Sequence, residues 1–79
     1  MENKETYCKV FIETFGIDEE NLTNLKYQDI LEWDSVGHMG LIAGLEEAFS
    51  IEMDIDDIID FSSFEKGQEI LEKYNILIR

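Results

Sequence analysis

Apolar residues recur along this chain at three-and-four spacing, and no segment needs a β-strand to bury them. Tyr7, Val10, Phe11, Thr14 and Phe15 mark one face of a helix over about residues 3 to 15, with Gly16 as its stop. Asp34 and Ser35 are both good capping residues, which predicts a second helix from about Ser35 to Phe49. Asp54 to Asp60 reads as a short helix with Ile55, Ile58 and Ile59 inward and its aspartates outward. Ser62-Ser63-Phe64-Glu65 matches a capping box and opens a last helix to about Tyr74, with Phe64, Ile70, Leu71 and Tyr74 on its core face. The predicted fold class is all-α: a small four-helix bundle, three main helices plus one short helix, in one domain over residues 1–79.

The exception to this periodicity is the stretch from Ile17 to Asp34, a long loop between helices one and two. Loops of about 18 residues are uncommon in compact domains and are usually functional. Asn21, Thr23 and Asn24 are turn formers, while Ile17, Leu22, Leu25, Ile30, Leu31 and Trp33 are spaced apolar anchors. The expectation is a loop strapped across the bundle.

Size and charge narrow the function. A domain of 79 residues has one small core, near the lower limit without disulfides or metal, and little left over for a deep catalytic cleft. Nineteen acidic against six basic residues give a net charge of −13, which repels nucleic-acid phosphates and anionic lipid headgroups. Between Lys26 and Lys66 there is no lysine or arginine but eleven carboxylates, a docking surface for basic proteins or a solvated face. A hydrophobic content of 44% with periodic placement argues for a folded chain despite that charge. Cys8 is the sole cysteine, which excludes an internal disulfide and fits a reducing compartment. Met1-Glu2-Asn3-Lys4-Glu5 lacks a secretory pattern, and no apolar run approaches the roughly 20 residues of a membrane span. A cytoplasmic monomer is expected.

On a helical wheel, the second helix has three stripes. Leu41, Ile42, Leu45, Ala48 and Phe49 form a broad core face; Val36, Met39 and Ala43 form a narrower strip bordered by Glu46 and Glu47. Gly37, Gly40 and Gly44 share the remaining side, each costing about 1 kcal/mol relative to alanine. Either a partner helix or pendant group approaches closely there, or the glycines lie on a tolerant exposed face.

Ser35 admits three readings. As a helix cap it would be ordinary. As a nucleophile it would pair with His38, but an orienting acid, an oxyanion hole and a cleft are all missing. His38 lies nearer the core side and is expected to hydrogen-bond the long loop. As an attachment point, Ser35 would hold a phosphodiester at the positive end of a helix, outward and solvated because the surrounding carboxylates oppose burial.

Asp34-Ser35-Val36, followed by Leu41-Ile42-Ala43-Gly44-Leu45-Glu46-Glu47-Ala48-Phe49, resembles the attachment motif and second helix of acyl carrier proteins. That family's usual form is Asp-Ser-Leu and then a helix ending Leu-Glu-Glu-x-Phe. The similarity continues through Ile51-Glu52-Met53 and Asp56-Asp57 into Phe61-Ser62-Ser63-Phe64, so it covers nearly the whole chain. The resemblance implies an acyl-carrier-like bundle without catalytic activity of its own. Ser35 would carry 4′-phosphopantetheine, transferred from coenzyme A by a separate phosphopantetheinyl transferase that Asp34 assists. The arm's thiol would hold an acyl group as a thioester and present it to acyl-loading and acyl-transferring enzymes with basic docking surfaces. By the same resemblance those partners read Val36, Met39, Ala43, Glu46 and Glu47, with Asp56 and Asp57 beside them. Val36, Gly37 and Gly40 stand where leucine, an acidic residue and glutamate are usual, and Trp33 and His38 resemble stand-alone carriers of specialised pathways.

The rival class is an acidic helical interaction module that never carries a prosthetic group. Asp54-Ile55-Asp56 with Glu65 has a superficial likeness to a calcium loop, but Ile58 and Ile59 stand where a ligand and a glycine are required, so no metal site is expected. Met39 and Met53 are expected as core or contact residues, and Cys8 as inert or partly buried.

Overall fold

The computed structural model describes residues 2–78. Four helices follow in order: α1 (Asn3–Phe15), α2 (Ser35–Phe49), α3 (Ile55–Asp60) and α4 (Phe64–Glu72), with a 3-10 turn at Glu19–Asn21. Among the described residues there is no strand, only an isolated antiparallel bridge between Lys26 and Ser63. The fold is therefore small and all-α. Helix α1 ends where Gly16 turns left-handed at φ 66° and donates its N–H to Ile12 O.

The core is aromatic and built on α1. Phe11 is fully buried, with ring centroids 5.0 Å from Tyr7, 5.1 Å from Phe64 and 5.6 Å from Trp33. Edge-to-face pairs of this kind add about 0.5–1.5 kcal/mol each beyond their buried area. Leu41, Ile42 and Leu45 close the cluster from α2, and Phe61, Phe64, Ile70 and Leu71 from the other side. Ala48, expected on the α2 core face, is exposed and lines a hollow beside Val10 and Thr14 of α1. Tyr7 donates its hydroxyl to Phe64 O at 2.6 Å, and burial pushes its phenol far above the usual tyrosine range.

Two of the three α2 glycines are explained by close approach within the chain. A methyl on Gly37 would lie 1.9 Å from the Glu32 carbonyl oxygen, and one on Gly44 would lie 2.9 Å from Val10 Cγ1. The stripe is where α1 and the loop end press on α2. Gly40 has room, its nearest neighbour being Thr14 Cγ2 at 3.9 Å.

The long loop is strapped down as expected. Leu22, Leu25 and Trp33 are buried, while Leu31, expected as an anchor, is 93% exposed. Tyr27 N–H donates to Ser62 O and Phe64 N–H to Leu25 O, both at 2.9 Å, which staples the loop to the α3–α4 junction. The radius of gyration, 11.2 Å, compares with about 11.6 Å for a compact chain of this length, so the loop adds no bulk.

Helix α3 departs most from expectation. Asp57 is buried at 7% relative exposure, while Ile55 and Ile59 are each 72% exposed. The helix is rolled by about one residue, or about 100°, from the orientation its isoleucines alone would favour. Polar contacts accompany this orientation: Asp57 accepts from Lys73 Nζ and from Tyr74 Oη, each at 2.6 Å. Tyr74 Oη in turn accepts from Asp54 N–H at 2.9 Å. These bonds, Lys73's first and Tyr74's second, hold the Asp57 carboxyl below the usual carboxylate range. The α4 cap also differs in register. Ser63 Oγ accepts from Lys66 N–H, so Lys66 and not Glu65 occupies the third helical position, and the reciprocal half of a capping box is missing.

Candidate functional site

Ser35 is the first residue of α2 and is exposed. The cap is Asp34, whose Oδ1 accepts from Gly37 N–H at 2.8 Å, while His38 N–H donates to Asp34 O at 2.7 Å. The capping role that sequence allowed to either residue thus falls to Asp34 alone. Ser35 Oγ is left outside the cap and lies 3.3 Å from Tyr27 Oη.

His38 meets the loop as expected, through Trp33. The indole N–H of Trp33 can only donate, and it does so to His38 Nδ1 at 2.9 Å. Nδ1 therefore carries no proton, and Nε2 bears the hydrogen that it donates to Ile58 O at 2.8 Å. Both ring nitrogens are committed, one to the loop and one to the last turn of α3, and neither is free to take a proton from Ser35. The Trp33 ring, fully buried, stacks on Phe15 at 5.3 Å, and the hydrogen-bonded His38 ring lies nearly parallel to it with centroids 6.2 Å apart. Loop, α2 and α3 are joined at this one imidazole.

Beside Ser35 lies a groove of about 410 Å³, walled by Tyr27, Met39, Ile55, Ile58 and Ile59 and floored by Phe61. Its size falls within the roughly 300–1,000 Å³ of small-molecule sites, and its lining is mostly apolar. The rolled α3 produces it, since Ile55 and Ile59 turn outward beside α2. Sequence reasoning missed Ile55 and Ile59 as groove walls because their spacing looked like a core face. It missed Tyr27 because an irregular loop carries no periodic signal. The signal that existed was Asp57 followed by Lys73 and Tyr74, a carboxylate with two partners one helix away.

The expected partner-facing residues divide. Val36 (82%), Met39 (54%), Ala43, Glu47 and Asp56 are exposed. Glu46 is half-buried and its Oε2 accepts from Met53 N–H at 2.9 Å, so part of its carboxylate is used internally. Asp57, expected beside Asp56 on that surface, is instead spent on the Lys73–Tyr74 anchor. A second hollow of about 410 Å³ lies on α1 around Cys8 and Ile12, rimmed by charged residues and sharing no residue with the Ser35 groove. Burial pushes the half-buried Cys8 thiol upward in pKa, which makes it a poorer nucleophile at neutral pH. Among the described residues no helix is long and apolar enough to cross a membrane.

No known protein family, curated protein or solved structure matches the chain.

Proposed function

We propose that this protein is a carrier that bears 4′-phosphopantetheine on Ser35 and presents acyl thioesters to partner enzymes. The observation that carries the reading is an exposed hydroxyl, outside the helix cap, at the edge of an apolar groove and without a free base beside it. An exposed hydroxyl suits a separate transferase, which must bring both coenzyme A and its own base. In that transfer the Ser35 Oγ–phosphorus bond forms, the pyrophosphate bond of coenzyme A breaks, adenosine bisphosphate leaves, and the serine proton goes to the transferase.

The residues present fit such a group. Ser35 supplies the ester oxygen, and Tyr27, Met39, Ile55 and Ile59 offer an apolar wall beside it. When bound, the group would supply a thiol on a long arm. Asp34 fixes the first turn that presents Ser35, and Trp33 with His38 fixes the loop beneath it. Exposed Val36 and Met39 beside Glu47 and Asp56 suit partners with an apolar contact ringed by lysine or arginine. That surface would serve an acidic interaction module equally well, so the attachment itself is the discriminating property.

Intact-mass measurement after incubation with coenzyme A and a promiscuous transferase tests the reading. A single pantetheinyl gain that disappears in Ser35→Ala is expected. No gain, or a gain that persists in the variant, rules the carrier function out.

A further inference from the structure

We propose that Tyr27 is a positioning residue for the prosthetic arm. Its phenolic hydroxyl bonds Ser35 before attachment and the phosphodiester afterwards, laying the arm along the groove walled by Ile55 and Ile59. This inference rests on the carrier reading of Ser35.

Tyr27 is held from several sides. Its backbone N–H is stapled to Ser62 O at 2.9 Å, and the next residue, Gln28, turns back with φ 71° and donates to Trp33 O at 3.1 Å. Its ring meets Trp33 edge-on at 6.3 Å and His38 at 5.5 Å. Those contacts leave the hydroxyl 3.3 Å from Ser35 Oγ, on the groove side of the serine. A phenol on a rigid ring loses little freedom in making such a bond, which suits it to fix a flexible group.

Charge makes the donor useful. Glu32 and Asp34 flank the site in sequence and are anions themselves, and no lysine or arginine stands between Lys26 and Lys66 to neutralise an added phosphodiester. A neutral O–H beside the ester oxygen offers a hydrogen bond to an anion without needing a cation. The hydroxyl and the outward isoleucines stand on the same groove, so an arm held at its phosphate by Tyr27 starts along the apolar wall.

The test compares pantetheinylated wild type with pantetheinylated Tyr27→Phe, which keeps the ring packing and loses the oxygen. The ³¹P chemical shift is expected to move, and cross-peaks between the arm and the Ile55 and Ile59 methyls to weaken by roughly tenfold or more, the effect of losing one charge-assisted hydrogen bond. In the wild type, cross-peaks from the Tyr27 ring to the arm's first methylene are expected, a measurement that requires no variant. An unchanged ³¹P shift with unchanged arm contacts overturns the Tyr27 proposal, as does the absence of those wild-type cross-peaks. Failure of the wild type to gain mass overturns the carrier reading instead, and the mass spectrum separates the two.

Discussion

Substituting alanine for Gly37 and for Gly40, three residues apart on one side of α2, should move stability in opposite directions. Alanine gains about 1 kcal/mol over glycine inside a helix. At Gly40 the new methyl would find Thr14 Cγ2 at 3.9 Å, an ordinary contact, so the gain is kept. At Gly37 it would sit 1.9 Å from the Glu32 carbonyl oxygen and 3.3 Å from Phe15 Cε1. That oxygen is backbone, one residue before the fully buried Trp33, whose N–H is bonded to Ile30 O. It can retreat only if the loop end moves. Overpacking costs about 1–3 kcal/mol, and an overlap this deep belongs at the upper end. Set against the propensity gain, the net loss is about 2 kcal/mol. At about 4–8 °C per kcal/mol for a domain of this size, Gly40→Ala should raise Tm by about 4–8 °C and Gly37→Ala lower it by about 8–16 °C. Far-UV circular dichroism of thermal and urea unfolding reads both, with equal m-values required for comparison. Equal shifts of the same sign would refute the argument that the loop presses on α2 at Gly37.

Three further outcomes follow from the site. Ser35→Ala should leave Tm within about 2–4 °C of the wild type, because Asp34 is the cap; a loss above about 1 kcal/mol in urea unfolding would return the capping role to Ser35. His38→Leu should cost about 1–3 kcal/mol by orphaning the buried Trp33 indole N–H, with a changed Trp33 emission; wild-type stability and emission would show that bond to be immaterial. The Asp57 pKa is lower in the folded than in the unfolded state, so its contribution is present above the ordinary carboxylate value of 3.8 and is lost as pH falls through the depressed one. The stability gap between wild type and Asp57→Asn should therefore be open at pH 7 and close below about pH 4, while relief of the −13 charge acts on both proteins alike. A gap constant across that range would remove Asp57 as an ionised anchor.

Helix positions were legible in the sequence because they depend on local spacing and punctuation. The α1 span and its Gly16 stop, the α2 span and the buried Phe11, Leu41 and Leu45 all follow from three-and-four periodicity. So was the candidate hydroxyl, since an Asp-Ser pair at a helix start is a local signal. The strapped loop was legible in outline from its apolar residues, although Leu31 proved exposed.

Tertiary structure alone decided which way the short elements face. Six residues of α3 do not fix their own rotation by periodicity alone, and in the fold Lys73 and Tyr74 hold Asp57 on the inward side. That roll turns Ile55 and Ile59 outward and makes the groove beside Ser35. Likewise the sequence could name Asp34 and Ser35 as capping residues but not choose between them. The choice falls to a 2.8 Å bond from Gly37, and it leaves the Ser35 oxygen facing Tyr27 across a loop that no periodic signal describes. Periodicity is a property of neighbours along the chain; the groove, the freed hydroxyl and the committed imidazole are made by residues that meet only once the chain has folded.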